Sequence, residues 1–337
     1  MLCDSAVSVD PGGGSGARAP PDPPKIGRLR SFVRAFPRGC YAAISPRVSN
    51  LVLFAIPTFV LAMLGELWWT RRHPEVAGYE TRDTAVSLTL GLANVVIYGV
   101  TKLAQIPLFG WLYAHRLVDV TADGAWWSWI LLFFAEDACY YWFHRLHHEV
   151  RVLWAAHVNH HSSRRYNFST ALRQPLLTPF TGPWFWCILP LLGFSPWMVL
   201  TAQAFSLIYQ FWLHTEGVKT LGPLEWVLNT PSHHRVHHGK NVRYLDKNHG
   251  GILIIWDRLF GTFAPEEEPV VYGLTHDLET FNPLRVGFHE VAQVGRDVAR
   301  APTLRAKLGY LFAAPGWSHD GSTKTAKQLV AGLPPPA

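Results

Sequence analysis

Twelve of the chain's 17 histidines fall between His144 and His249, most of them in tight clusters. The first cluster reads His144-Arg-Leu-His147-His148-Glu149, the second His157-Val-Asn-His160-His161, the third His233-His234-Arg-Val-His237-His238. His214 stands alone at the end of an apolar run. Spacings of three and four residues bring side chains onto one helical face, and two imidazoles so placed grip a metal ion at two points. At about 100° per residue, Asp137, His144 and His148 share a stripe roughly 40° wide, and His147 points well away from it.

A solvated helix face would carry Lys and Glu rather than imidazole, and a dry core would leave so many ring nitrogens unpartnered. Metal binding explains the clusters. One ion takes four to six ligands, so eight to ten convergent imidazoles imply two ions. Ligand type alone leaves zinc, copper, iron and nickel open. The carboxylate pattern of soluble di-iron bundles, Glu with Glu-x-x-His, is missing. Glu149 is a candidate bridge or proton relay, or else a surface partner of Arg145 or Arg151. Asp137, inside an apolar run, is expected to orient a ligating imidazole through its second nitrogen. His73, His115, His289 and His319 are expected to be ordinary satisfied side chains, and His276 is left open.

The elements that carry these residues are unusually apolar. Hydrophobic residues make up 49% of the 337 and charged residues 16%, against about 25% charged in a soluble domain. Apolar stretches run over Leu51–Trp69, Ala85–Val100, Leu103–Tyr113, Ala125–Phe143, Leu176–Leu192 and Pro196–Leu213. The first is long enough to span hydrocarbon, with Trp68, Trp69, Arg71 and Arg72 at its boundary. The last two are joined by Gly193-Phe194-Ser195 and read as a hairpin. The net charge of +6 flanks these runs instead of forming a stripe for nucleic acid, so an anionic lipid surface is the expected partner. The four cysteines form no CxxC pair and imply neither a disulfide framework nor a thiolate metal site.

The expected fold is therefore an all-α integral membrane protein. About four to six transmembrane helices would carry a cytosolic helical cap with the histidine-rich di-metal site. Residues 1–48 form a basic tail expected to be disordered, 49–143 the N-terminal membrane helices, 125–290 the catalytic domain, and 322–337 a disordered tail. An even number of crossings from a cytosolic N-terminus returns both histidine-rich segments to the cytosol. Arg145, Arg151, Arg164, Arg165, Arg173, Lys219, Arg235, Lys240, Arg243 and Lys247 lie in those segments, in keeping with the positive-inside rule. The membrane would be the plasma membrane in a bacterium and the endoplasmic reticulum in a eukaryote.

A site beneath a greasy, Trp-rich bundle suits a long-chain substrate entering from the bilayer. Attack on an unactivated C–H bond needs oxygen chemistry, which an iron pair can supply and zinc cannot. A zinc hydrolase would want more carboxylate than Glu149 offers. A metal transporter would want ionisable groups in several spans, where only Glu66 and the Glu136-Asp137 pair qualify.

The three boxes His144–His148, His157–His161 and His234–His238 resemble the HxxxH, HxxHH, HxxHH pattern of the fatty acid hydroxylase/sterol desaturase superfamily. Within it the chain looks closest to the alkylglycerol monooxygenase branch, through EDACYYWFHRLHHEV, NHHSSRRYNFSTALRQ, LIYQFWLHTEG, LGPLEWVLNTPSHHRVHHGKN and ILIIWDRLFGTF. The resemblance covers roughly residues 125–290. It implies a di-iron, dioxygen-dependent enzyme drawing electrons from a reduced pterin such as tetrahydrobiopterin, or from another donor. Such an enzyme hydroxylates the ether carbon of an alkylglycerol; a sterol or fatty-acyl desaturase or hydroxylase is the alternative within the superfamily. Carried over by motif, the ligands are His144, His148, His157, His160, His161, His234, His237 and His238, to which the lone His214 is added. His233 falls outside the pattern and becomes an outer-sphere candidate. Asn248-His249-Gly250 stands where relatives often have Asn-Tyr, and Asn248 and His249 join it as outer-sphere candidates.

Overall fold

The first described element, α1 (Leu51–Thr70), is an apolar helix with Pro57 inside it and a single acidic residue, Glu66. The computed structural model describes residues 51–120 and 126–333, so the tail expected over 1–48 lies outside the described residues. Helix α2 (Thr81–Ala114) begins where the Glu80 carboxylate accepts from the backbone N–H groups of Arg82 and Asp83, satisfying donors that a helix start leaves free. Helix α3 (Trp127–Glu149) ends at Val150, whose extended backbone (φ −118°, ψ 120°) breaks the run before α4 (Arg151–His157). A 3-10 turn, Val158–Ser162, follows directly. Then come α5 (Pro196–Trp212), α6 (Pro231–His237), α7 (Ile255–Phe260), α8 (Pro283–Arg300), α9 (Leu304–Phe312) and α10 (Ala326–Ala331). Among the described residues there is no β-strand, only the isolated bridges Leu228–Leu253 and Gly239–Tyr272.

The apolar pattern organises differently from the expected bundle of four to six spans. Ala85–Val100 and Leu103–Tyr113 are one continuous helix, α2, and among the described residues it alone is long and apolar enough to cross a membrane. Leu176–Leu192 forms no spanning hairpin arm. It breaks into single turns at Thr178–Thr181, Pro183–Trp186 and Ile188–Leu191. Pro179, Pro183 and Pro190 remove three N–H donors from this short run, whereas α1 and α2 each carry a single interior proline, Pro57 and Pro107, and here the helix breaks.

Those broken turns pack inward. Trp186, Leu189 and Phe194 join Phe109 and Leu112 of α2, Leu132 and Phe143 of α3, and Met198 and Val199 of α5 in the main apolar core. Each large side chain buried there contributes about 1.5–3 kcal/mol. A second cluster, Val86, Leu90, Leu176 and Val286, fastens α8 to α2. Outward-facing residues are also apolar: Leu92, Val95, Val96 and Leu103 on α2 and Phe54, Leu61 and Leu64 on α1 are all exposed.

Polar ties then fix the layers under the apolar helices. Glu66 on α1 accepts from the Thr215 and Tyr79 hydroxyls, both at 2.5 Å, and from the Phe168 N–H at 2.7 Å. Arg151, at the start of α4, pairs with Glu290 (3.0 Å) and Asp297 (2.6 Å) of α8. The C-terminal stretch from residue 322, expected to be disordered, carries α10, where Thr325 and Gln328 form a reciprocal capping box. That local closure of helix-start donors is why so short a polar segment holds a turn and a half of helix.

Candidate metal centre

Two groups of buried imidazoles sit at the junction of α3, α4, α5 and α6. His144, His148, His157, His161 and His237 form the first, and His160, His214, His234 and His238 the second. Within each group the ligating atoms lie within 4.8 Å of one another. The boxes are therefore shared out between the groups. His157 and His161 go to the first and His160 to the second; His237 goes to the first while His234 and His238 go to the second.

The helical frame explains each placement. His144 and His148 are one turn apart on α3, where the aromatic run Tyr140-Tyr141-Trp142-Phe143 leads them out of the core. The break at Val150 turns α4 back, so that His157 comes 5.0 Å from His144 and 5.2 Å from His148, ring centre to ring centre. The following 3-10 turn carries His160 and His161 in different directions, their rings nearly perpendicular at 88°. On α6, Pro231 sets the first turn and the i, i+4 pair His234 and His238 faces His214 at the end of α5, with centroids at 4.4 and 5.1 Å.

Main-chain carbonyls fix the rings. The Nδ1 atoms of His144, His160, His214 and His237 lie 2.9, 3.2, 2.9 and 2.9 Å from the carbonyls of His249, Arg173, Gln210 and Lys247. A carbonyl can only accept, so Nδ1 carries the proton and Nε2 is left as a free donor atom for a metal. The Nε2 atoms of His144, His148, His237 and His238 are buried without a partner. Elsewhere Nε2 faces Nε2: His157–His161 at 3.2 Å, His160–His214 at 3.3 Å and His214–His234 at 3.1 Å. Nitrogens about 2.0–2.1 Å from one ion stand roughly 3.0–3.4 Å apart on a coordination edge. The residues present thus fit two metal ions.

Electrostatics agree with that fit. Burial, reinforced by neighbouring imidazoles, holds His157, His161, His234 and His238 well below the ordinary value of 6.5. Burial also takes His160 down to about 4 and His237 to about 3. Neutral rings are the form that binds a metal.

The other candidates take other places. His147 has both ring nitrogens engaged, with the Phe143 carbonyl at 2.7 Å and the Thr181 hydroxyl at 2.8 Å, and belongs to neither group. Asp137 does not touch an imidazole: it accepts from the N–H groups of Ile252 (2.7 Å) and Leu253 (3.1 Å) and the Trp256 indole (2.9 Å). Its position on the His144 stripe aims it at the 252–256 turn because that turn, distant in sequence, covers this part of α3. Glu149, one residue beyond His148 and so about 100° round the helix, pairs with Arg145 at 2.8 Å. Neither carboxylate joins an imidazole group. His233 packs on the Phe263 ring at 5.4 Å outside both groups. Asn248, at φ +56°, latches the third box to the 262–264 segment through the His233 carbonyl (3.1 Å) and the Ala264 N–H (2.9 Å). His249 is buried beside the first group. His73, His115, His289 and His319 each have a local hydrogen-bond partner.

Sequence reasoning missed the residues that hold the frame. Arg173 is buried against Asp83 and Ser87 of α2 while its carbonyl anchors His160. Asp257 accepts from the His249 and Gly250 N–H groups at 2.8 and 2.7 Å. Their signal was faint: single charges within stretches of low charge.

Residues 129–262 match the model of the fatty acid hydroxylase family. The chain is 42% identical over 275 residues to the alkylglycerol monooxygenase of Homo sapiens, covering 80% of this chain and 60% of that protein. The corresponding enzyme of Xenopus tropicalis is 44% identical over 241 residues, 70% of this chain and 52% of the relative. That of Danio rerio is 41% identical over 275 residues, 80% and 60% respectively. The chain thus spans about half to three-fifths of the length of these curated relatives. No solved structure matches it.

Proposed function

We propose that this chain, which carries a fatty acid hydroxylase domain over residues 129–262, is a membrane-bound di-iron monooxygenase that hydroxylates an aliphatic carbon of a lipid. The single observation that carries this reading is the pair of buried, carboxylate-free imidazole groups lying under helices whose outer faces are apolar. Two irons bound there would supply the activation of dioxygen. The chain's own residues hold the rings by main-chain carbonyls, exclude water from the chamber and keep every ligand neutral. Asp137 and Glu149 are committed to the 252–256 turn and to Arg145, and the one carboxylate near a ligating ring among the described residues, Asp246, stands 3.9 Å from Nδ1 of His148 and outside both groups, which is thin support for a zinc hydrolase.

The similarity to alkylglycerol monooxygenases makes the ether carbon of an alkylglycerol the leading target. One oxygen atom enters the C–H bond and the other leaves as water, with two electrons and two protons drawn from a reduced pterin or another donor. The hemiacetal so formed splits to an aldehyde and glycerol. A sterol or fatty-acyl substrate is the alternative for the same site. We place the protein in the membrane through α2 and the neighbouring apolar helices, as a multi-pass protein with the imidazole groups on the cytosolic side.

The test is metal analysis of anaerobically purified protein together with oxygen uptake on a lipid panel, with a reduced pterin supplied as electron donor. Two irons per chain and aldehyde release from a 1-O-alkylglycerol are expected. A clean value of one ion, or iron-loaded protein without oxygen uptake on any ether, acyl or sterol lipid, would defeat the proposal.

A further inference from the structure

His249 completes neither imidazole group by the spacing that defines them, yet its ring is fully buried and neither nitrogen makes a hydrogen bond. Its centroid lies 5.1 Å from that of His148, 5.6 Å from His237 and 5.8 Å from His144. Pairs inside the first group stand at similar separations, 4.3 Å for His144–His237 and 5.2 Å for His144–His148. A buried polar group left without a partner is costly, so a ring in this position implies a partner beside it.

We propose that His249 is a tenth ligand, closing the first group as its sixth imidazole; the inference rests on the two-ion reading above. Two main-chain contacts fix His249 beside that group. The Asp257 carboxylate accepts the His249 N–H at 2.8 Å, and the His249 carbonyl anchors Nδ1 of His144, a ligand of the same group, at 2.9 Å. Unlike His144 and His237, whose Nδ1 atoms are taken up by carbonyls, His249 has both ring nitrogens free to meet an ion.

The consequence is an asymmetric pair. Six imidazoles would hold the first ion and four, those of His160, His214, His234 and His238, the second, so the first would be held more firmly.

The experiment uses the full chain in detergent, loaded with Zn(II), and follows release of the metal to a chelator. Wild type should hold two ions and release them in two phases, the slower belonging to the first group. His249→Phe keeps the main-chain contacts and the volume of the ring. It should speed the slow phase by more than about 100-fold, beyond the 10–100-fold effect typical of an outer-sphere partner, and leave the fast phase unchanged. In His249→Gly, added imidazole should restore slow release. A slow phase unchanged, or hastened by less than about 100-fold, overturns direct ligation, and so does failure of imidazole to rescue. If wild type itself binds a single ion, the two-ion reading fails. His249 as a ligand then stands or falls on whether His249→Phe hastens release of that ion.

Discussion

Arg173 and Asp83 form an ion pair whose side chains are only 2% and 10% exposed, joining the segment after the second histidine box to the first turn of α2. Because the Arg173 carbonyl also anchors Nδ1 of His160, the pair couples the stability of the fold to the second imidazole group. Removing one partner leaves an uncompensated buried charge, which costs about 3–5 kcal/mol. Asp83→Ala is expected to lower the unfolding midpoint strongly and to reduce metal bound at the second group. Replacement of both by apolar residues should recover much of the stability. An Asp83→Ala protein as stable as wild type would show that the pair is screened by water.

The first box separates ligands from neighbours. His148→Ala removes a buried Nε2 that faces the first group, and should lose metal and turnover together. His147→Ala removes only the bonds to Phe143 and Thr181. It should cost about 1–3 kcal/mol of stability and leave metal content near wild type. Equal metal loss from the two variants, measured side by side, would mean that α3 does not continue as a regular helix through this box.

Acid should unfold the metal-free protein through its imidazoles. In the folded chain these rings titrate below the ordinary 6.5, His160 at about 4 and His237 at about 3, because they are buried. The unfolded chain therefore binds protons that the folded chain refuses as pH falls from about 6.5 towards 4. Stability is full above that window and is lost within it, by up to about 1.4 kcal/mol per pH unit for each such histidine. Bound metal competes for the same nitrogens and should move the transition to lower pH. Urea midpoints measured at several pH values with and without metal test this; a flat apo profile between pH 7 and 5 would contradict it.

Asp137 is expected to act on the turn that it holds. Asp137→Ala leaves the N–H groups of Ile252 and Leu253 and the Trp256 indole without their acceptor. Each buried donor left unsatisfied costs about 1–3 kcal/mol. The 252–256 region should then show faster amide exchange, before any change in the ligand field of a bound Co(II). An altered Co(II) spectrum with unchanged exchange would instead put this carboxylate in contact with a ligand.

Local periodicity alone determined a good part of this protein. Spacing of three and four residues marked the rings that could grip an ion, and the helical angle set His147 apart from His144 and His148. Apolar runs marked α1, α2, α3 and α5, because a helix in or under lipid must hide its backbone polar groups within itself. Tertiary structure alone decided how the boxes divide. His160 parts from His157 and His161 because a 3-10 turn changes the direction of successive side chains, and on α6 His237 meets His144 and His148 of α3 whereas His234 meets His214 at the end of α5. The aim of Asp137 and the pairing of Arg173 with Asp83 depend on contacts between residues 115 and 90 positions apart. Periodicity is a property of neighbours along the chain, and such contacts form only when the apolar core has brought distant turns together.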